Sequence, residues 1–368
     1  MEETTMKRCL CLILSVAMML GISGCSQKSE ENADVTVVTG EEALSMWNDC
    51  ESRNALIDYV EAVTDVNGPD YIPVENRIAV FDFDGTLFCE TDPNYFDHML
   101  LLYRITEDPD YRDIASDFER QVAQDIITMN ETGVAPENMM VNHGQALASA
   151  FSGMTLDEFD AYVQAFKEQE MPSYEVLTRG NGWYLPMIQV IDYLEANDFT
   201  VYVVSGTDRF IVRGIFENSP LNIPNSRIIG SDQLVLASNQ GDTAGLDYQF
   251  TIEDELIFGG EFLLKDLNMN KVNLIVREIG VQPVLSFGNS SSDNSMAEYT
   301  ITNNPFRSMA FMLCCDDLER ENGNLDKADK MYGLCETYGW IPVSMRDDWT
   351  TIYGETVTYV QYNTDSQN

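Results

Sequence analysis

Basic residues are scarce in this 368-residue chain: 21 Lys and Arg stand against 61 Asp and Glu, a formal net charge of -40 at pH 7. So acidic a surface repels phosphate backbones and anionic headgroups, which argues strongly against nucleic acid as a partner and against adhesion of the folded body to anionic membranes. Histidine is scarcer still, with only His98 and His143. Two imidazoles leave little material for a zinc cluster or a histidine-based triad. The cysteines beyond Cys25 are Cys50, Cys89, Cys314, Cys315 and Cys335; an odd count without CxxC spacing indicates neither a zinc site nor a disulfide framework. No internal repeat is present. What the chain does have is 44% hydrophobic content with 17 Tyr and 17 Phe, enough for a packed core in roughly two domains of ordinary size.

The organising stretch is 78–86, IAVFDFDGT. Its four apolar residues suit a strand buried on both faces of a parallel sheet, and the run ends abruptly in Asp82-Phe83-Asp84-Gly85-Thr86. Two carboxylates therefore leave the strand at its C-terminal edge, where open α/β sheets bind ligands. A bend at Gly85 lets backbone approach a phosphate or a metal closely. Aspartates at i and i+2 suit a division of labour, one as nucleophile and metal ligand, the other as general acid and base.

Around this stretch the chain alternates. Residues 52–63 carry apolar positions at helical spacing, and after residue 87 come four helical segments, 95–105, 111–129, 139–151 and 156–170, joined by Asp, Pro, Gly and Asn. A helix over 186–196 leads into a second buried strand, 199–204, that ends in Ser205-Gly206-Thr207, where a hydroxyl can donate to a phosphate oxygen. Strand pieces follow at 227–230, 234–237, 248–252 and 256–262. Lys271 opens a helix ending near Gly280, with Lys265 as a rival six residues earlier. A strand over 283–287 runs into Gly288-Asn289-Ser290-Ser291-Ser292-Asp293, another strand covers 309–314, and a helix 327–338.

DFDGT after a buried strand resembles the first motif of the haloacid dehalogenase superfamily, and the other three motifs follow in order. The resemblance is greatest to the phosphoserine phosphatase-like branch. It implies a Rossmann-like parallel α/β sheet with an inserted all-helical cap: core over 41–87 and 185–355, cap over 88–184, and a C-terminal tail over 356–368. It also implies a Mg2+-dependent phosphomonoesterase acting on a small phosphorylated metabolite through an aspartyl-phosphate. In that scheme Asp82 is the nucleophile and Asp84 the acid and base. Ser205, Gly206 and Lys271 hold phosphate, and Asp82, Asp84, Asn289 and Asp293 hold the metal. Asn289 departs from the family's GDxxxD pattern, in which an acidic residue is common; its amide carbonyl still coordinates Mg2+ at lower negative charge. Glu90 lies close to the position from which these phosphatases reach a substrate amine. Phosphocholine, phosphoethanolamine and phosphoserine are therefore expected to exceed sugar phosphates as substrates. A phosphomutase on the same motifs and a non-catalytic solute-binding lipoprotein are the alternatives.

At the N-terminus, Lys7 and Arg8 precede an apolar run over 9–22 that is short for a spanning helix and long enough for a signal-peptide core. Ile22-Ser23-Gly24-Cys25 resembles a bacterial lipobox. The resemblance implies a signal peptide over 1–25, a lipid anchor on Cys25, a tether over 26–40 and residence outside the cytoplasmic membrane. Glu2 and Glu3 ahead of the basic pair leave Met1 and Met6 both open as the start.

Overall fold

The computed structural model describes residues 39–360; the leader, Cys25, nearly all of the tether and the last eight residues lie outside the described residues. Thr39 caps a one-turn helix, α1 (Gly40–Ala43), in a capping box with Glu42. Helix α2 (Glu51–Thr64) buries Leu56, Tyr59, Val60 and Val63, an i, i+3, i+4, i+7 stripe as the sequence spacing predicts. Strand β1 (Ile78–Phe81) is buried at every position. Four helices then form the insert: α3 (Phe96–Thr106), α4 (Asp117–Thr132), α5 (Met139–Ala150) and α6 (Leu156–Lys167). The chain returns through β2 (Tyr174–Glu175), α7 (Leu185–Ala196), β3 (Thr200–Asp208), α8 (Arg209–Phe216), β4 (Ile228–Ala237) and β5 (Leu256–Leu264). It finishes with α9 (Met269–Leu274), a π turn over Ile275–Ile279, β6 (Leu285–Gly288), α10 (Asn294–Ile301), β7 (Met309–Cys314), α11 (Leu325–Tyr338), β8 (Ile341–Ser344) and β9 (Thr358–Tyr359).

Seven strands make one sheet in the order β5-β4-β3-β1-β6-β7-β8. All neighbours are parallel except β4 with β5. Since β1 lies between β3 and β6, the direction of winding reverses there, and the crevice at its C-terminal end is the place such sheets offer to a ligand. On one face, Phe81, Phe287 and Phe311 stack across β1, β6 and β7 with centroids 4.3 and 5.0 Å apart. Burying each ring contributes about 1.5–3 kcal/mol, so the strand that carries the paired aspartates is among the best anchored in the molecule.

The helical insert is docked on the antiparallel end of the sheet. A Cβ on Gly144 of α5 would lie 2.5 Å from the Phe262 ring of β5, so helix and strand meet at a distance only glycine allows. Residues read from sequence as tail hold the insert's exit. Thr358–Tyr359 pairs antiparallel with Tyr174–Glu175. Nearby, the buried Glu321 accepts from the hydroxyls of Tyr174 and Tyr353.

Local boundaries differ from the sequence expectation in three places. Helix α4 starts at Asp117 because Ser116 and Glu119 form a capping box, leaving 111–115 as turns. The pieces 227–230 and 234–237 are one strand, β4; its apolar pattern is broken by Ser231 and Gln233, which are buried and polar. Residues 248–252 are not a strand, for Asp254 accepts from Thr251 N, Thr251 Oγ1 and Tyr248 Oη and closes a turn. Among the described residues no helix is long and apolar enough to cross a membrane.

Candidate active site

Asp82 continues the β1 ladder by one bond, its N–H donating to Phe287 O at 2.9 Å. The chain then turns sharply. Gly85 has φ of 77° and donates to Phe88 O at 2.7 Å, and a Cβ there would lie 1.9 Å from Asn289 Nδ2. Only glycine satisfies both the left-handed backbone and the approach of the β6 loop. The carboxylates of Asp82 and Asp84 both face a cavity of about 310 Å³ at this sheet edge. Gly206 and Thr207 form part of its floor, Asn289 and Ser290 one wall, and Tyr95 and His98 from the insert another.

Lys271, on α9, lies fully buried behind Asp82. Its ammonium donates to Asp82 Oδ1 at 2.5 Å, Asp293 Oδ1 at 2.6 Å and Val204 O at 2.8 Å, so all three donors are used. Burial alone would lower its pKa, but Asp293 and Asp82 more than reverse this and hold it above the usual lysine value. Burial and the charge of Asp293 push the Asp82 carboxyl up to about 7 against the pull of Lys271.

Among the described residues Asp84 touches no cation. Thr207 Oγ1 donates to its Oδ2 at 2.7 Å, while its Oδ1 is buried without a hydrogen-bond partner among the described residues. Burial first, then the charge of Asp97, raise its pKa well above the ordinary carboxylate value. Two aspartates two residues apart thus have different surroundings, one held against an ammonium and the other bonded to a neutral hydroxyl, the kind of inequality that lets a pair of carboxyls take different roles.

The remaining residues singled out from sequence are brought to the same sheet edge in two layers. Gly206 and Asn289 line the cavity. Ser205 is fully buried, and its Oγ accepts from Thr207 N at 3.0 Å. Asp293 is also fully buried, its Oδ2 accepting from the N–H groups of Asn289 and Ser290 at 3.1 and 3.0 Å. The strand β3 runs on through Ser205-Gly206-Thr207 to Asp208, with a register shift against β4 between Ser205 and Asp208; where the sequence reading ends the strand, the structure has an irregularity within it. Lys265 also faces the cavity, but it is Lys271 that meets Asp82.

Glu90 is a correction. It lines the cavity, but Lys327 Nζ donates to both of its oxygens at 2.5 Å and Tyr95 Oη to Oε1 at 3.3 Å. The free carboxylate expected to greet a substrate amine is already neutralised by α11. Thr207 and Lys327 escaped the sequence reading because their partners lie 123 and 237 positions away, and Asp97 and His98 because no local pattern brings them to this cavity.

Both histidines of the chain meet in this wall. Their rings stack 3.9 Å apart and 6° from parallel, with His98 Nδ1 2.8 Å from Asp97 Oδ1 and His143 Nδ1 3.8 Å from Asp97 Oδ2. Asp97, His98 and His143 are all buried and close enough to be considered as metal ligands. Their geometry argues otherwise, since lone pairs in parallel planes do not converge on one ion at the 2.0–2.1 Å typical of metal–imidazole bonds.

A hard cation is better matched by the aspartate layer. Asp82, Asp84 and Asn289 offer side-chain oxygens to one cavity, Asp84 Oδ1 and Asn289 Nδ2 are buried without partners among the described residues, and rotation of the Asn289 amide presents its oxygen. Oxygen donors with an excess of negative charge are what Mg2+ takes, so the residues fit that ion.

The haloacid dehalogenase-like hydrolase family model matches residues 79–298. No curated protein matches the chain. Among solved structures, a conserved protein of unknown function from Anaerococcus prevotii DSM 20548 is similar at TM-score 0.48 and 13% identity, covering 79% of this chain and 91% of that one. Cytosolic 5'-nucleotidase IIIB bound to cytidine is similar at TM-score 0.46 and 12% identity, covering 80% and 86%. A substrate-bound phosphoserine phosphatase is similar at TM-score 0.36 and 13% identity, covering 74% and 96%.

Proposed function

Because the chain belongs to the haloacid dehalogenase-like hydrolase family, we propose that it is a Mg2+-dependent phosphomonoesterase that forms an aspartyl-phosphate on Asp82 and takes a small phosphorylated metabolite. The observation that carries this reading is the unequal pairing of the two aspartates: Lys271 donates to Asp82 at 2.5 Å, and Asp84 has only the Thr207 hydroxyl.

Asp82 Oδ attacks phosphorus in line, forming the P–O bond as the bond to the leaving alcohol breaks. Lys271 offsets the charge that accumulates on nucleophile and phosphoryl oxygens, which matters in a protein of net charge -40. Asp84, the carboxyl of the pair that no ammonium holds, gives a proton to the departing oxygen. It then takes one from the water that cleaves the aspartyl-phosphate. Backbone N–H groups near Phe83 and Gly206 would hold phosphoryl oxygens. When bound, Mg2+ held by Asp82, Asp84 and Asn289, with Asp293 behind them, would supply charge stabilisation to the phosphoryl group.

Of the substrates expected from sequence, those chosen for an amine or quaternary ammonium lose their support, since Lys327 occupies Glu90. A compact metabolite remains the best match for a cavity of about 310 Å³ walled by the insert. The test is a panel of phosphomonoesters with the purified protein, scored by phosphate release before and after chelation. Release that returns with Mg2+ supports the reading; no release from any monoester overturns it.

Location belongs to the same proposal. The basic pair Lys7 and Arg8, the apolar run 9–22 and Cys25 support export and lipid anchoring to the cell membrane, where such an enzyme scavenges small phosphomonoesters.

A further inference from the structure

The chain has seven lysines, Lys7, Lys28, Lys167, Lys265, Lys271, Lys327 and Lys330, and three of them gather at one cavity. Their ammonium groups are used unequally. Lys271 donates to three acceptors and Lys327 to both oxygens of Glu90. Lys265 makes no side-chain hydrogen bond among the described residues. Its Nζ comes no nearer to a carboxylate than 3.8 Å, to Asp97 Oδ2, although its side chain is only 14% exposed. An ammonium so enclosed with three unused donors is costly unless a partner arrives.

We propose that Lys265 is a specificity-determining residue that receives an anionic group, a carboxylate or a second phosphate, on the leaving-group part of the substrate. This rests on the phosphomonoesterase reading above. Lys265 leaves the end of β5 and lines the cavity together with Asp82 and Asp84. Asp97, 3.8 Å from Lys265 Nζ, lines the same cavity as Asp84. The carboxylate of Asp97 in turn accepts from the neighbouring imidazole, at 2.8 Å from His98 Nδ1, so it orients Lys265 without satisfying it. An ammonium-bearing leaving group finds Glu90 already paired with Lys327, whereas an anion finds a cation with unused donors.

The test compares two substrates of similar size, phosphoglycolate with a carboxylate and phosphoethanolamine with an ammonium, in the purified protein and in Lys265→Met and Lys265→Arg. In the parent protein kcat/KM is expected to favour phosphoglycolate. The ratio between the two should fall about tenfold or more in Lys265→Met, the size of one charge-assisted hydrogen bond, and recover in part in Lys265→Arg. Because each ratio is taken within one protein preparation, a partly misfolded variant does not distort it. A parent ratio that favours phosphoethanolamine, or a ratio unmoved by Lys265→Met, overturns the assignment while leaving the reaction intact. If neither compound releases phosphate, the reaction stands where another monoester of the panel is hydrolysed and falls where none is. The subsite is then judged by titration calorimetry with the same two compounds, where tighter binding of phosphoglycolate that Lys265→Met abolishes sustains it and equal binding refutes it.

Discussion

Lys271 and Asp82 stand 189 residues apart in the chain and 2.5 Å apart in the fold, with the ammonium fully buried. The same ammonium holds Asp293 at 2.6 Å. Removing it leaves two buried carboxylates facing each other, so Lys271→Met is expected to lose about 3–5 kcal/mol of stability as well as nearly all phosphate release. Urea denaturation of the variant checks this; a loss under about 1 kcal/mol would mean the pair is not the buried bridge described.

Thr207 holds Asp84 by one hydrogen bond of 2.7 Å, which favours the ionised form of that carboxyl. Thr207→Val removes the bond and leaves the burial. The Asp84 pKa should then rise further, and the acid limb of the kcat profile, which reports Asp84 in its role as base, should move to higher pH. A fall in kcat of about 10- to 100-fold is expected from the loss of one oriented acid–base contact. An acid limb that stays in place or moves to lower pH would assign it to another group.

Asp266 is fully buried with neither carboxylate oxygen hydrogen-bonded among the described residues, and burial pushes its pKa up to about 7 despite the pull of Lys271. A raised carboxyl adds stability that is fully present below the unfolded pKa of 3.8 and is lost as pH rises through about 7. Asp266→Asn cannot ionise. Its stability relative to the parent should therefore improve by about 2–3 kcal/mol between pH 5 and pH 8. Thermal melts at the two pH values give the answer, and an equal difference at both would show that Asp266 does not titrate in this range.

Cys25→Ser tests the proposed anchor. The variant should appear unprocessed or free of the membrane, since no other residue of the leader takes a diacylglyceryl group. A processed, lipid-labelled Cys25→Ser protein in the membrane fraction contradicts the lipobox assignment.

The sheet edge was legible because its signals are local. DFDGT and the Gly288 to Asp293 turn each follow a fully buried strand, and the helix that Lys271 enters is marked by its apolar periodicity. What the sequence hid depends on distance. Thr207 reaches Asp84 across 123 positions, and Lys327 reaches Glu90 across 237, so nothing near Glu90 shows that its charge is already offset. The split reading of β4 has a related cause: Ser231 interrupts the apolar run because its hydroxyl donates to Gly206 O at 2.6 Å and accepts from Asp266 N at 2.9 Å, tying β4 to the loops beneath the site. Lys265 was considered only as a rival to Lys271, since chain position cannot separate a lysine that bridges two aspartates from one that faces open cavity.

The central claim is that Asp82 carries the phosphoryl group between the two half-reactions. Acid quenching of the protein during turnover of its best phosphomonoester, followed by mass analysis of the peptides, tests it most directly. One added phosphoryl group is expected on the peptide containing Asp82, with both its formation and its breakdown slowed in Asp84→Asn, which lacks the acid and the base, and no adduct or phosphate release from a folded Asp82→Asn protein. Parent-like phosphate release from folded Asp82→Asn, or a phosphoryl group trapped on a different residue, would contradict it.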